Sequence, residues 1–233
     1  MKKYVLDIKI DDITMDEALE IAQSWLQKPG KHYIVTPNPE FIVEAESDLA
    51  FKKILNSADL SIPDGVGLKL AGIKNRITGV DLMENLVELA AEKGYSVGLL
   101  GGRNNLAKLT AEKLQNKSPG LKVAFAESGG EVDIQGKSLK SLKSLKCDLL
   151  FVAFGHGKQE KWINNYLDKI PVKVVMGVGG SFEYISGIVP RASKIVRDLG
   201  LEWLFRLILQ PWRIKRQLAL LKYLWLTFKR ALG

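Results

Sequence analysis

Apolar positions along this chain follow two periods in turn. Short runs rich in β-branched and aromatic residues predict strands at Tyr4–Ile10, His32–Thr36, Leu60–Ile62, Tyr95–Leu100, Lys122–Ala126, Asp148–Phe154 and Val172–Val178. Between them, apolar residues recur at helical spacing and predict helices at Met15–Leu26, Phe41–Asn56, Leu82–Ala91, Asn105–Gln115 and Gln159–Leu167. Lys137–Lys146, with its Ser-Leu-Lys repeats, reads as a solvated connecting helix. Strands alternating with helices predict an α/β fold, a mainly parallel Rossmann-like sheet with helices on both faces.

Beyond residue 190 the pattern changes. A helical stretch at Glu202–Gln210 is followed by a second segment opening at Pro211-Trp212, where proline suits a first helical turn. Ile214, Leu218, Leu221, Trp225, Phe228 and Leu232 recur at steps of four and three. Lys215, Lys222 and Lys229 recur every seven, with Arg216 and Arg230 beside them. These spacings place an apolar and a basic stripe on different faces of one helix. The chain thus divides into an α/β core, 1–190, and a basic amphipathic helical appendage, 191–233.

Charge sharpens that division. Of 34 Lys and Arg and 26 Asp and Glu, ten basic and two acidic residues fall in 191–233, so the first 190 residues are neutral and the appendage carries the net +8. Such a patch points to phosphates: lipid head groups, lipid diphosphates or nucleic acid. Three of the five Trp (Trp203, Trp212, Trp225) lie in the appendage, which favours a membrane surface over a terminal helix simply docked on the core. Its most apolar run, Trp203–Leu209, is broken by Arg206 and falls far short of the ~20 residues a bilayer core requires. The N-terminus meets Asp7 before any signal-like apolar stretch. The single Cys147 precedes an apolar run, so a buried thiol without disulfides is expected, in keeping with a reducing cytoplasm.

In parallel sheets ligands sit beyond the strands' carboxyl ends, and polar and glycine residues follow these strands. Asp64, between a proline and a glycine, is a candidate general base if partial burial raises its pKa, although Pro-Asp-Gly also makes turns. Thr36 and Asn38, in a loop stiffened by Pro37 and Pro39, suit a sugar hydroxyl or acetamido group, or else local capping. Gly101-Gly102 and Gly177-Val178-Gly179-Gly180 suit close approach of backbone N–H groups to a phosphate. Phe182 stands where G-x-G-x-x-G needs its third glycine, so a nicotinamide or flavin cofactor is disfavoured while a nucleotide diphosphate is not. There is no Asp-x-Asp, and His32 and His156 lack partners at zinc spacing. Glu183 occupies the position where a nucleophile elbow around Ser181 would need glycine. No metal site is expected, and diphosphate charge falls to arginines and backbone amides.

The segments Thr36–Glu40, Pro63–Gly67, Arg76–Asp81, Gln159–Ile163, Gly177–Phe182 and Gly200–Leu207, in this order over nearly the whole chain, resemble the WecG/TagA/CpsF glycosyltransferases, particularly those of teichoic acid linkage-unit synthesis. The resemblance implies an inverting, metal- and cofactor-independent transfer of N-acetylmannosamine from a UDP-sugar donor. The acceptor would be undecaprenyl-diphosphate-linked N-acetylglucosamine at the cytoplasmic face of a membrane, with the protein peripheral to its anionic surface. It implies Asp64 as the base at the acceptor 4-hydroxyl, with Thr36 beside it. Asn38, Arg76 and Gln159 would line the substrate pocket, Glu183 would bind the nucleoside, and Arg206, Arg213 and Arg216 would meet diphosphate. A donor such as UDP-N-acetylmannosaminuronic acid is the alternative within the family. A basic-tailed nucleic-acid-binding protein and a membrane-surface scaffold are the non-enzymatic alternatives. A nucleic-acid partner is disfavoured because the apolar stripe would be wasted on a duplex. Exposed tail apolar surface also predicts homo-oligomers in solution.

Overall fold

In a computed structural model describing residues 1–137 and 145–232, without the side chains of 215–217 and 231–232, the chain opens with an antiparallel hairpin, β1 (Lys2–Val5) and β2 (Ile8–Asp11). The single strand expected at Tyr4–Ile10 is broken because Leu6 and Asp7 both adopt positive φ (47° and 62°), a two-residue turn that reverses the chain. Helix α1 (Met15–Gln27) follows, started by a capping box in which Thr14 accepts from the Glu17 amide and Glu17 reaches back to the Thr14 amide.

Six further strands form one parallel sheet. They are β3 (His32–Val35), β4 (Leu60–Ser61), β5 (Ser96–Gly101), β6 (Lys122–Glu127), β7 (Leu149–Ala153) and β8 (Val174–Gly177), in the order β4-β3-β8-β7-β5-β6. Alternate side chains feed two cores. Tyr33, Val35, Leu150, Val152 and Val175 enter one, and Ile34, Leu149, Phe151, Val174 and Met176 the other. Burial on both faces explains why β7 and β8 read as continuous apolar runs.

One face is covered by α2 (Pro39–Ala45), α3 (Leu49–Ser57) and α6 (Lys158–Tyr166). The other is covered by α1, α4 (Gly79–Lys93), α5 (Leu106–Lys117) and the short α7 (Ser181–Ile185). The helix expected as one piece at Phe41–Asn56 is two, because the Asp48 carboxylate accepts from the Phe51 amide at 2.9 Å and starts a new helix. Most of the connecting helix expected at Lys137–Lys146 lies outside the described residues. Cys147 is buried, and burial pushes its thiol up to about 12.

The remaining helices are α8 (Lys194–Asp198), α9 (Glu202–Leu209) and α10 (Ile214–Leu232), the last two joined by a single 3₁₀ turn at Pro211–Arg213. α10 lies against α2, but not by the stripe that its sequence displays. Tyr223, fully buried, docks it into the core, with Ala219 and Leu226 beside it. Ile214, Leu218, Leu221, Trp225 and Phe228 point outward and are 55% to 65% exposed. Ile195, Leu199, Ile208 and Trp212 extend this exposed apolar set through the preceding turns. Among the described residues, no helix is long and apolar enough to cross a membrane.

Tyr223 is therefore the anchor of α10. Tyr223→Ala should cost ~3 kcal/mol, seen as a Tm lower by roughly 6–12 °C. An unchanged Tm in thermal denaturation would mean that the helix is not held this way.

Candidate active site

Beyond the carboxyl ends of β3, β4, β5, β7 and β8 lies a cavity of about 1840 Å³, lined also by residues of α9, the Pro211–Arg213 turn and α10. Its floor follows from the topology. β3 and β4 are neighbours, so the residues just past them, Thr36 and Asp64, come together. The Asp64 backbone N–H donates to the Pro37 carbonyl at 2.9 Å, tying the two loops. Asp64 Oδ2 accepts the N–H of Gly79, the first residue of α4, at 3.1 Å, where the helix dipole favours a negative charge. A side chain at Gly79 would press on both groups, since its Cβ would lie 3.4 Å from Asp64 Oδ2 and from Thr36 Oγ1.

The Asp64 carboxyl is enclosed by protein although the residue opens partly to the cavity. Burial pushes its pKa up to about 6, against the Gly79 hydrogen bond and the Arg76 charge, and with the help of the Glu202 and Asp81 carboxylates. The group is mostly ionised at neutral pH yet more basic than an ordinary carboxylate, which suits a general base.

Asn38 lines the cavity, but its Oδ1 caps α2, accepting from the Glu40 and Phe41 amides at 2.9 and 3.1 Å. Only its amide N–H₂ is left to face a ligand. Gln159 is locked at both ends. Its Nε2 donates to Glu160 Oε1 at 2.7 Å and its Oε1 accepts the Gly179 N–H at 3.0 Å, so the Gly179 amide is spent within the protein. Glu160, almost fully buried, also accepts the Gly157 N–H at 2.8 Å, and burial pushes its pKa up to about 7.

Gly102, Gly179 and Gly180 line the cavity, whereas Gly101 and Gly177 are not among its lining residues. A Cβ at Gly101 would come within 2.6 Å of the Ala153 backbone, and one at Gly177 within 2.9 Å of Gln159 Nε2 and 3.0 Å of Glu160 Oε1. These two glycines permit close packing of β5 on β7 and of the Gln159-Glu160 pair on β8. Gly180 is bare for a related reason, because a Cβ there would overlap the Arg206 guanidinium.

Arg206 pairs with Glu183 at 2.7 Å and lies 4.6 Å over the Tyr184 ring. Arg213 donates through Nε to Gln210 Oε1 and faces the same cavity. Arg76 reaches the cavity while pairing with Glu202 at 3.5 Å and donating to the Arg197 carbonyl at 3.0 Å. The Arg216 side chain lies outside the described residues. Among the described residues, no group of three His, Cys, Asp or Glu side chains is placed to hold a metal ion.

Nothing in the local sequence pattern marks Glu160 or Glu202 as functional. Glu160 directly follows Gln159, and Glu202 is one of two acids in the cationic tail. Those positions were the available signals.

An N-acetylglucosaminyldiphosphoundecaprenol N-acetyl-beta-D-mannosaminyltransferase from Bacillus subtilis (strain 168) is 35% identical over 214 residues, covering 86% of this chain and 83% of its own. The enzyme of the same name from Staphylococcus aureus (strain MRSA252) is 32% identical over 224 residues, covering 92% and 87%. Residues 3–233, the parallel sheet and its ligand edge included, match the glycosyl transferase WecG/TagA/CpsF family, and the chain belongs to that family.

Proposed function

We propose that this glycosyltransferase moves N-acetylmannosamine from UDP-N-acetylmannosamine to the 4-hydroxyl of undecaprenyl-diphosphate-linked N-acetylglucosamine. The observation that carries the reading is the Asp64 carboxyl, held by the first turn of α4 in a cavity that Arg206 and Arg213 also line. The names of the Bacillus and Staphylococcus relatives supply the acceptor and the sugar.

The chemistry is a single displacement. Asp64 takes the proton from the acceptor O4, with Thr36 Oγ1 beside it. That oxygen forms the new bond to the anomeric carbon while the bond to the UDP oxygen breaks, inverting the centre. The departing diphosphate gains charge as the proton is lost, and Arg206 and Arg213 face it from α9 and the following turn; Arg216 comes next in the chain. Gly102, Gly180 and Glu183 stand at the donor side, and Asn38, Arg76 and Gln159 at the sugars.

A polyprenyl acceptor stays in its bilayer, so the cavity has to come to the surface. The outward apolar residues of α10, flanked by exposed Lys222 and Lys229, fit peripheral docking on the anionic cytoplasmic leaflet. Without lipid the same surface favours self-association.

With Asp64 as the base, kcat/KM should fall as pH drops through about 6, because the active form is the deprotonated one. A pH profile flat from 5 to 8 would contradict this. The reading itself is tested by transfer to a detergent-solubilised lipid-diphosphate N-acetylglucosamine from a panel of UDP-sugars. UDP-N-acetylmannosamine should react fastest. Preference for its uronic acid moves the donor assignment, and no transfer from any donor overturns the reading.

A further inference from the structure

The wall behind Asp64 contains three arginines and three carboxylates, drawn from segments far apart in sequence. Arg191 meets Asp81 at 2.8 Å, Glu84 at 3.4 Å and Glu202 at 3.5 Å, and donates to Thr78 Oγ1 at 3.1 Å. Arg197 shares Asp81 at 3.4 Å. Thr78 Oγ1 donates to Asp81 at 2.6 Å, and Gly79 next to it holds Asp64. Arg76 completes the set, with its Nη1 on the Arg197 carbonyl and its Nη2 toward Glu202. Its Nε is buried with no hydrogen-bond partner among the described residues.

Arg76 and Asp64 line one cavity and feel each other's charge. An arginine free to close on a carboxylate forms a charge-assisted pair and lowers its pKa by about 1–3. Such a pair would leave Asp64 ionised but too weak a base to take a hydroxyl proton. The charged groups acting on Asp64 are Arg76 from the loop before α4, Asp81 from α4 and Glu202 from α9. Thr36 from the loop after β3 and the Gly79 amide add only uncharged contacts. Arg191 and Arg197 are committed to the carboxylates behind it, and Arg206 to Glu183.

We propose that Glu202 is a positioning residue: it holds Arg76 off Asp64, so that the Asp64 carboxylate remains a proton acceptor. This deepens the proposed function and rests on Asp64 being the base. It also links the base to the appendage. Glu202 and the Arg197 carbonyl, the two acceptors that restrain Arg76, both come from the segment that leads into the outward apolar face.

The test compares pH profiles of kcat/KM for the full-length chain and three variants. Glu202→Gln keeps size but removes the charge, so the acidic limb should move down by ~1 pH unit or more, and the plateau should drop as the base weakens. Arg76→Gln should move the limb up, since Asp64 then faces Glu202 and Asp81 without the compensating cation. In the double variant the limb should return close to the wild-type position. A limb that stays in place in Glu202→Gln while the rate falls marks a merely structural role and overturns the proposal. So does a double variant that keeps the downward shift. Should Glu202→Gln not fold, Glu202→Asp decides: it keeps the charge but draws the carboxylate back from Arg76, so a downward shift supports the proposal and an unmoved limb overturns it. Failure of the underlying reading looks different, as a near-normal rate in Asp64→Asn.

Discussion

Asp64→Asn loses transfer by roughly 10²- to 10⁴-fold while still binding UDP, the range expected when a general base is removed and its shape is kept. Asparagine retains an oxygen for the Gly79 N–H, so the loops after β3 and β4 and the start of α4 stay in register. The same substitution should stabilise the fold at neutral pH. A carboxyl whose pKa is raised from 3.8 to about 6 is more easily protonated in the folded state than in the unfolded one. Its contribution is therefore most favourable below the unfolded value and is lost as pH rises through the folded one. The rise corresponds to at most ~3 kcal/mol held against ionisation, which the neutral amide removes. A variant with higher Tm, unchanged UDP affinity and very low turnover is the combined signature. Steady-state rates with isothermal titration of UDP check it, and a near-normal rate removes Asp64 from the role.

Reversing two charges on α10, Lys222→Glu with Lys229→Glu, should detach the protein from anionic vesicles without unfolding it. Both side chains are exposed, whereas Tyr223, which anchors the helix, is buried. Each cation close to an anionic leaflet is worth ~1 kcal/mol, so changing four charges at partial to full engagement weakens binding by ~2 to 4 kcal/mol, or roughly 30- to 700-fold. Flotation at modest ionic strength measures this. Transfer to acceptor embedded in the same vesicles should fall in parallel, while transfer to a short-chain soluble acceptor stays close to wild type. Equal flotation of the variant and the parent would show that the appendage does not dock through this helix.

The ligand edge was legible in the sequence because it depends on chain order. Thr36, Asp64, Gly102, Gly179 and Gly180 each follow a strand, and a parallel sheet brings such positions to one side. What each residue does there depends on contacts that spacing does not encode. Gly101 and Gly177 look like phosphate-loop glycines, yet their missing side chains make room for Ala153 and for the Gln159-Glu160 pair. Asn38 reads as a sugar ligand, and half of its amide is spent on capping α2.

The amphipathic pattern of α10 showed where its apolar stripe runs but not which way it faces. That is decided by Tyr223, outside the stripe, which fills the core beside α2 and turns Leu221 and Trp225 to the outside. Arg76 and Glu202 are 126 residues apart, and only the packing of α9 over the cavity reveals that they meet. Local punctuation failed where ordinary residues took unusual roles. Leu6-Asp7 makes a tight turn without glycine, and Asp48 restarts a helix inside one apolar period.

The most direct measurement follows labelled sugar in vesicles that contain undecaprenyl-diphosphate N-acetylglucosamine and an anionic lipid. The protein is supplied with UDP-[¹⁴C]N-acetylmannosamine, in parallel with its Asp64→Asn variant. The account predicts label in the lipid fraction as a β-linked disaccharide for the parent, and almost none for the variant. Label that remains in UDP-sugar or free sugar with the parent, or enters lipid equally well with Asp64→Asn, would contradict it.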